Sequence, residues 1–389
     1  MKPKEQGVVV VPARPPSPDR IRSVSVFFPA HNEEAAIAQT LEQAEKVLTR
    51  LGLDYEIIVV NDGSRDRTAE IVEGICRRHT RIRLVNHATN LGYGAAVWSG
   101  ITSSAKDYIF FTDADLQFDL EELPRLLCHV PDYDVVIGYR IKRRDPFLRL
   151  VNAWGWNRLN RALFGLRVRD IDCAFKLFKR TVFDDMVVTS RGAMVSAEML
   201  VRIFRQGFRV AEVGVTHYPR TTGSPTGAKP RVIARAFLEL LRVSQGDLGN
   251  RTVTRLVRFG CVGAVNTLVD WTAYFTLTLL TLGRHYVAAK AIAYFAGMLT
   301  SYFLNRNWTF QSRGKTSVEL PRFIVANLGS LVTNTLLMYL ARTWLNLSTM
   351  EALVIATAGA FSVNFIACHV LVFPTLAGRE KAHRRAIVR

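Results

Sequence analysis

Up to about residue 250, short apolar runs alternate with charged stretches, whereas beyond Arg258 the apolar runs lengthen to roughly the 20 residues that span a bilayer. The first half therefore reads as soluble and the second as membrane-embedded. Residues 24–29, 56–61, 83–85 and 108–112 are β-rich, with helix-like stretches between most of them. That order predicts βαβ units, hence an α/β domain with a parallel sheet covered by helices. Ligands of such sheets lie beyond the carboxyl ends of the strands, which singles out residues 30–34, 62–64 and 113–115.

Two further segments, 146–166 and 231–243, set apolar and aromatic positions among arginines. Such amphipathic helices either lie in the headgroup plane or simply pack on the sheet. Four apolar stretches follow, at 258–281, 286–304, 322–344 and 351–373, each long enough to cross the hydrocarbon core. Arg306, Arg313, Lys315 and Arg322 lie in or beside the loop after the second stretch, while the turns near Arg284 and Asn346 are poor in Lys and Arg. The positive-inside rule then predicts a multi-pass plasma-membrane protein with the soluble half and the C-terminus in the cytoplasm. Counting depth along the first two spans brings Asp270 and Lys290 to within about 6 Å of one level. They either pair across the hairpin, or Lys290 snorkels outward alone and Asp270 is protonated or bonds to a neighbour such as Asn266. A faint repeat is also legible: Arg258-Phe259 with Asn266-Thr267-Leu268 recurs as Arg322-Phe323 with Asn334-Thr335-Leu336, at a longer spacing.

The expected organisation is a disordered Pro-rich arm (1–22), a soluble domain (23–230), a second amphipathic helix and linker (231–250), a four-helix membrane domain (251–374) and a basic tail (375–389). The net charge of +18 calls for an anionic partner. Basic residues gather beside the spans (Arg251, Arg255, Arg258) and in the tail (Arg379, Lys381, Arg384, Arg385, Arg389), which points to membrane lipid and away from nucleic acid. Five scattered cysteines lack zinc or disulfide spacing and suit a reducing compartment.

The chemistry sits at the strand ends. Asp113 and Asp115, separated by Ala114, leave an apolar run into a loop, where two carboxylates can converge on a hard divalent cation, Mg²⁺ or Mn²⁺; Gln117 offers a third oxygen. Asp62 ends another strand, where its carboxylate either accepts from a base or ribose or forms a plain Asx turn. Asn90-Leu91-Gly92-Tyr93-Gly94 allows close backbone approach through its glycines. Neither a Walker loop nor a Gly-x-Gly-x-x-Gly after a strand occurs, which argues against an NTPase or a dehydrogenase.

In order, Pro29-Ala30-His31-Asn32-Glu33-Glu34, Val60-Asn61-Asp62-Gly63-Ser64, Asn90-Leu91-Gly92-Tyr93-Gly94, Asp113-Ala114-Asp115-Leu116-Gln117 and Asp172-Cys173-Ala174-Phe175-Lys176 resemble the family 2 glycosyltransferases of GT-A fold, specifically the dolichyl- or polyprenyl-phosphate sugar synthases. The final helices are similar to the GtrA family, particularly at Asn305-Arg306-Asn307-Trp308-Thr309-Phe310. The resemblance implies a donor pocket of Pro29, His31, Asn32, Glu33, Asp62, Asn90, Asp113, Ala114, Asp115 and Gln117, with the metal on Asp113, Asp115 and Gln117. It assigns the acceptor phosphate to Arg140 and Arg220, and makes Asp115, Arg140, Lys176 and Arg220 the catalytic set, although Arg140, Arg220 and Lys176 also read as ordinary surface cations. The implied reaction is inverting transfer of a hexose from UDP-glucose or GDP-mannose to a polyprenyl phosphate. A homo-oligomer is compatible with this reading. Two alternatives stand beside it: a lipid-sugar translocation or assembly module with a nucleotide-sugar binder, and a polysaccharide synthase, whose Gln-x-x-Arg-Trp motif is absent.

Overall fold

The computed structural model describes residues 9–10, 23–130, 132–141, 147–219, 230–245, 248–280 and 285–373. The chain divides into two units, Met1–Asn250 and Arg251–Arg389. The first holds strands β1 (Val9–Val10), β2 (Ser23–Ala30), β3 (Asp54–Asp62), β4 (Ile82–His87), β5 (Tyr108–Thr112), β6 (Val135–Ile141), β7 (Phe175–Lys179) and β8 (Val210–Thr216). Its helices are α1 (Ile37–Arg50), α2 (Thr68–Cys76), α3 (Tyr93–Ser103), α4 (Leu123–Leu127), α5 (Phe147–Phe164), α6 (Val195–Gln206) and α7 (Pro230–Gln245). They form one eight-stranded sheet in the order β1-β8-β6-β7-β5-β2-β3-β4. Every residue of β2 is buried, as expected where helices cover both faces of a central strand. Phe27, Phe111 and Phe178 stack from β2 through β5 to β7, with centroid spacings of 5.2 and 6.2 Å.

Two expectations need correcting. The arm predicted as disordered contributes β1, which pairs in parallel with β8 through Val9↔Ala211 and Val10↔Glu212. Two β-branched residues suffice there, because β8 otherwise presents an open edge of backbone donors and acceptors. The sheet is also mixed, because β7 runs antiparallel to both β5 and β6. This reversal positions the site. The start of β7 lies at the carboxyl ends of its neighbours, with Phe175 opposite Thr112, so residues 172–174 arrive beside Asp113.

The second unit holds α8 (Arg251–Leu280), α9 (Tyr286–Leu304), α10 (Thr316–Thr343) and α11 (Thr349–Ala367). Among the described residues, three helical stretches are long and apolar enough to cross a membrane: Tyr286–Thr309, Thr316–Thr343 and Thr349–Val372. With its Asn266, Asp270 and threonines, α8 is not among them. The chain is a membrane protein.

The faint sequence repeat is a structural one. Each second helix, α9 and α11, ends in a single π-helical turn, Asn305–Thr309 and Cys368–Val372. Arg258 donates to Trp308 O (2.9 Å), and Arg322 donates to the equivalent Leu371 O (3.4 Å). Phe310 and Phe373 stack at 5.0 Å, and Phe259–Phe365 and Tyr302–Phe323 each meet at 5.5 Å. A signal the sequence reading missed repeats too: Ala289, Ala293 and Gly297 are buried along α9, as are Ala352, Ala356 and Ala360 along α11. Small residues four apart let helix backbones approach closely in lipid, where packing drives association. The Asn-Thr-Leu triplets do not superpose, since the extra spacing shifts the second by about one helical turn.

Lys290 Nζ lies 2.5 Å from Asp270 Oδ2, which settles the choice in favour of pairing across the α8–α9 hairpin. The ammonium also stands 5.7 Å over the Tyr274 ring and lines a 1070 Å³ groove with Trp271, Phe275 and Tyr294. Asp270→Asn and Lys290→Met should each lower thermal stability in detergent, because each leaves one charge unmatched, and the double variant should recover much of the loss. Strictly additive losses would show that the contact contributes nothing.

Candidate active site

One cluster is organised around Asp62, which is 3 % exposed. Its Oδ1 accepts from Leu91 N and His87 Nδ1, both at 2.8 Å, and its Oδ2 accepts from Gly92 N at 2.9 Å. His87 Nε2 continues to Ser99 Oγ at 2.9 Å. Asp62 therefore clasps the glycine loop, and His87 joins it through a contact that the motifs did not reveal. His31 donates from Nδ1 to Asp62 O (2.8 Å), and Asn90 Nδ2 lies 3.2 Å from the same ring nitrogen. Asn32, left-handed at φ 58°, accepts Arg65 N–H at 2.8 Å and donates its own N–H to Ser64 Oγ at 3.0 Å. Pro29 closes β2 within the core, and Glu33 N–H is held by Thr68 Oγ1 at 2.9 Å. His31, Asn32, Asp62 and Asn90 thus form one cluster.

Gly63 is what lets that cluster close. Its φ is +61°, and a Cβ there would come within 2.4 Å of Asn90 N. Gly63→Ala should cost about 1–3 kcal/mol through backbone strain and weaken nucleotide binding at least tenfold, as read by thermal melting and calorimetry. Unchanged nucleotide affinity would detach this turn from the donor pocket.

The second cluster is acidic. Asp115 is 6 % exposed and accepts Gln117 N–H at 3.1 Å, while Asp113 accepts the Tyr93 hydroxyl at 3.1 Å. The Asp113 carboxyl is pushed up to about 7, first by burial and then by the Asp115 charge, with Tyr93, Lys176 and Arg140 acting in the other direction. Two carboxylates whose repulsion is not fully offset fit a divalent cation, and an all-oxygen donor set suits Mg²⁺ or Mn²⁺. Gln117 uses its amide nitrogen on Tyr218 O (3.0 Å). No group of three or more His, Cys, Asp or Glu side chains that could hold a metal ion occurs among the described residues.

Arg140, from the end of β6, is not a surface cation. Nε and Nη2 grip Asp170 at 2.6 and 2.7 Å, and both side chains are 8 % exposed. Burial opposes its charge, but the bonds to Asp170 outweigh that and hold the guanidinium above its ordinary value. Lys176 is fully buried beneath the cluster, donates to Cys173 O and stands 5.5 Å over Phe111. Burial lowers its pKa, while nearby Cys173, Asp172 and other acidic groups act to raise it. Asp172 keeps contact with solvent, yet its carboxyl is pushed up to about 6, by its poorly hydrated setting first and by Asp170 second. Burial also pushes the Cys173 thiol up to about 12, which keeps it protonated. Asp170-Ile171-Asp172 is a second carboxylate pair of the same spacing as Asp113-Ala114-Asp115, a signal the sequence reading passed over. Arg220 lies outside the described residues.

Both amphipathic helices pack on the domain while keeping an outer face, and α5 reaches this region. On α5, Trp156 hydrogen-bonds Asp172 and Asn157 donates to Arg169 O (2.9 Å), whereas Trp154 is 64 % exposed. On α7, Leu240, Leu241 and Val243 are buried, but Ile233 and Leu238 are exposed among Arg231, Arg235 and Arg242.

A mixed α/β sheet with paired carboxylates and a glycine loop beyond its strand ends is a GT-A-like fold. Residues 25–187 match the Glycosyl transferase family 2 model and residues 258–373 match the GtrA/DPMS transmembrane domain. The chain thus joins a domain similar to the family 2 glycosyltransferases to a membrane domain similar to the GtrA/DPMS type.

Among curated relatives, the undecaprenyl-phosphate 4-deoxy-4-formamido-L-arabinose transferase of Pseudomonas aeruginosa (strain LESB58) is 31% identical over 57% of this chain and 65% of its own length. The transferase of the same name from Pectobacterium atrosepticum is 29% identical over 68% of this chain and 77% of its own length. The match thus spans just under two thirds of the Pseudomonas relative. Among solved structures, glucosyl-3-phosphoglycerate synthase from Mycobacterium tuberculosis, in complex with Mn²⁺, UDP and glucosyl-3-phosphoglycerate, is 19% identical. That match covers 61% of this chain and 88% of that one, with a TM-score of 0.46.

Proposed function

We propose that this enzyme transfers a hexose from a nucleotide sugar to a polyprenyl phosphate, with inversion, at the cytoplasmic face of the plasma membrane. The observation that carries the reading is the reversed strand β7, which sets residues 172–176 against the Asp113–Asp115 pair and beside Arg140. A carboxylate pair and a buried cation on one edge serve two anionic substrates at once. The names of these two relatives, both undecaprenyl-phosphate sugar transferases, support a polyprenyl phosphate acceptor.

The acceptor phosphate is ionised near pH 7, so no strong general base is required. Its oxygen attacks the anomeric carbon in line, the bond from that carbon to the diphosphate breaks, and the electron pair leaves with the nucleotide. A single displacement on an α-linked donor gives a β-linked lipid product. Arg140, preoriented by Asp170, is suited to draw the acceptor phosphate into line. Mg²⁺ or Mn²⁺ on Asp113 and Asp115 would supply charge neutralisation at the departing diphosphate.

Asp62 favours one base over another. Its Oδ1 already accepts two donors and its Oδ2 one, leaving room for a single further donor. That suits the one imino N–H of uracil better than the adjacent N–H groups of guanine, and it supports UDP-glucose ahead of GDP-mannose. In the membrane unit we assign α8 as a fourth span, because the GtrA/DPMS match begins at residue 258, within it. The deciding experiment incubates the purified full-length protein with polyprenyl phosphate, Mn²⁺ or Mg²⁺ and a panel of donors. The panel holds UDP-glucose, GDP-mannose and UDP-4-deoxy-4-formamido-L-arabinose, and the lipid is analysed by mass. A mass gain of one hexose supports the proposal. A formamido-arabinose product would replace the hexose, and no glycosylated lipid from any donor would overturn the reading.

A further inference from the structure

The N-terminal turn of α3 carries no side-chain cap. Its first N–H groups are satisfied from elsewhere in the chain, since Arg191 O accepts from Gly94 N at 2.9 Å and Ala95 N at 3.3 Å. The contact has no slack. A Cβ on Gly92 would lie 2.6 Å from Arg191 O, and one on Gly94 would lie 2.7 Å from Arg191 C. The segment that provides this carbonyl is fixed on two sides. Behind it, the fully buried Glu198 of α6 accepts from the backbone and hydroxyl groups of Thr189 and Ser190. In front, Glu239 of α7 accepts Gly192 N–H at 3.2 Å, and a Cβ on Gly192 would come 2.8 Å from the Glu239 carboxylate.

Glu239 itself is 9 % exposed, although it sits on the helix whose outer face carries Ile233, Leu238 and three arginines. One of those, Arg235, has Nε 3.7 Å from Glu239 Oε1 while remaining mostly exposed. A continuous path of contacts therefore runs from the amphipathic face through Glu239, Gly192, Arg191 and Gly94 to Tyr93, whose hydroxyl bonds Asp113.

We propose that Glu239 is a positioning residue which holds the donor loop in register from α7, so that nucleotide binding depends on how α7 is seated on an anionic lipid surface. The inference rests on the proposed reading of the 90–94 loop as part of the donor pocket. Close-packed backbone transmits a displacement where a looser loop would absorb it. No chemistry is asked of Glu239, which touches neither the acidic pair nor Asp62 directly.

The test uses the full chain in nanodiscs, either of neutral phosphatidylcholine or with about a third phosphatidylglycerol, titrated calorimetrically with UDP and with GDP in Mn²⁺. Wild type should bind one nucleotide several-fold tighter in the anionic discs. Glu239→Leu should weaken binding about tenfold, in line with loss of a hydrogen bond to a charged group, and should erase the difference between discs. Glu239→Gln keeps an acceptor for Gly192 N–H and should restore most of the affinity, a rescue that a general packing defect would not give. Should the leucine variant fail to fold, Gly192→Ala presses on the same contact and should weaken nucleotide binding in the same way. Wild-type affinity in Glu239→Leu, failure of the glutamine to rescue, or equal affinity of the wild type in both discs would each overturn the inference. If the wild type binds neither nucleotide in either disc, the donor-site reading itself falls.

Discussion

Asp115→Ala should abolish sugar transfer, by about a thousandfold or more, with thermal stability equal to wild type or slightly above it. The activity loss follows from removing half of the carboxylate pair that suits a divalent cation, where charge on the leaving diphosphate must be stabilised. The stability expectation follows from the other member. Asp113 is pushed up to about 7 by burial and by Asp115, so deleting the Asp115 charge relieves a repulsion that the fold otherwise sustains. Near-normal turnover in the variant, or full wild-type turnover in EDTA, would sink the metal assignment.

The second large effect is expected at Arg140, and the structure changes how it must be measured. Because Arg140 and Asp170 form a bidentate pair with both side chains 8 % exposed, Arg140→Ala strands a buried carboxylate. Breaking such a pair from one side typically costs about 3–5 kcal/mol. Activity alone is therefore ambiguous. The informative comparison is with Asp170→Asn, which also breaks the pair but keeps the cation. If Arg140 binds the acceptor phosphate, Arg140→Ala raises the acceptor KM or lowers kcat about a hundredfold and leaves donor affinity intact. Asp170→Asn should then be similarly destabilised but much less impaired toward acceptor. Equal kinetic losses in both variants, or a collapse of donor affinity with unchanged acceptor kinetics, would reduce Arg140 to a structural role.

These two experiments differ because the two residues were legible to different degrees. Asp113 and Asp115 follow an uninterrupted apolar strand, and a local pattern of that kind survives folding almost unchanged. The Asp270–Lys290 contact was within reach for a similar reason, since helix rise converts sequence position into depth. Arg140 was named by the resemblance, but its partner Asp170 is 30 positions away and belongs to no motif of that resemblance. The antiparallel sense of β7 was not readable either, because a short buried strand has the same apolar pattern in both directions. Glu239 is 47 positions from Gly192, and on the sequence it is one acidic residue among arginines, indistinguishable from a solvated face. The alanine spacing in α9 and α11 went unnoticed because alanine marks a helix without marking a face; burial supplies the face.

The paired arginine contacts in the membrane unit gather the start of α8, the end of α9, the start of α10 and the end of α11 at one end of the bundle. There Phe259, Tyr302, Phe310, Phe323, Phe365 and Phe373 form one core. Toward the opposite end, Leu279, Leu280, Tyr286, Val287, Trp344 and Leu345 are all more than half exposed. Mechanically this is a pair of tongs with its rivet at one end. Were the helices to turn about that rivet, these exposed apolar tips would travel farthest, because they lie farthest from it.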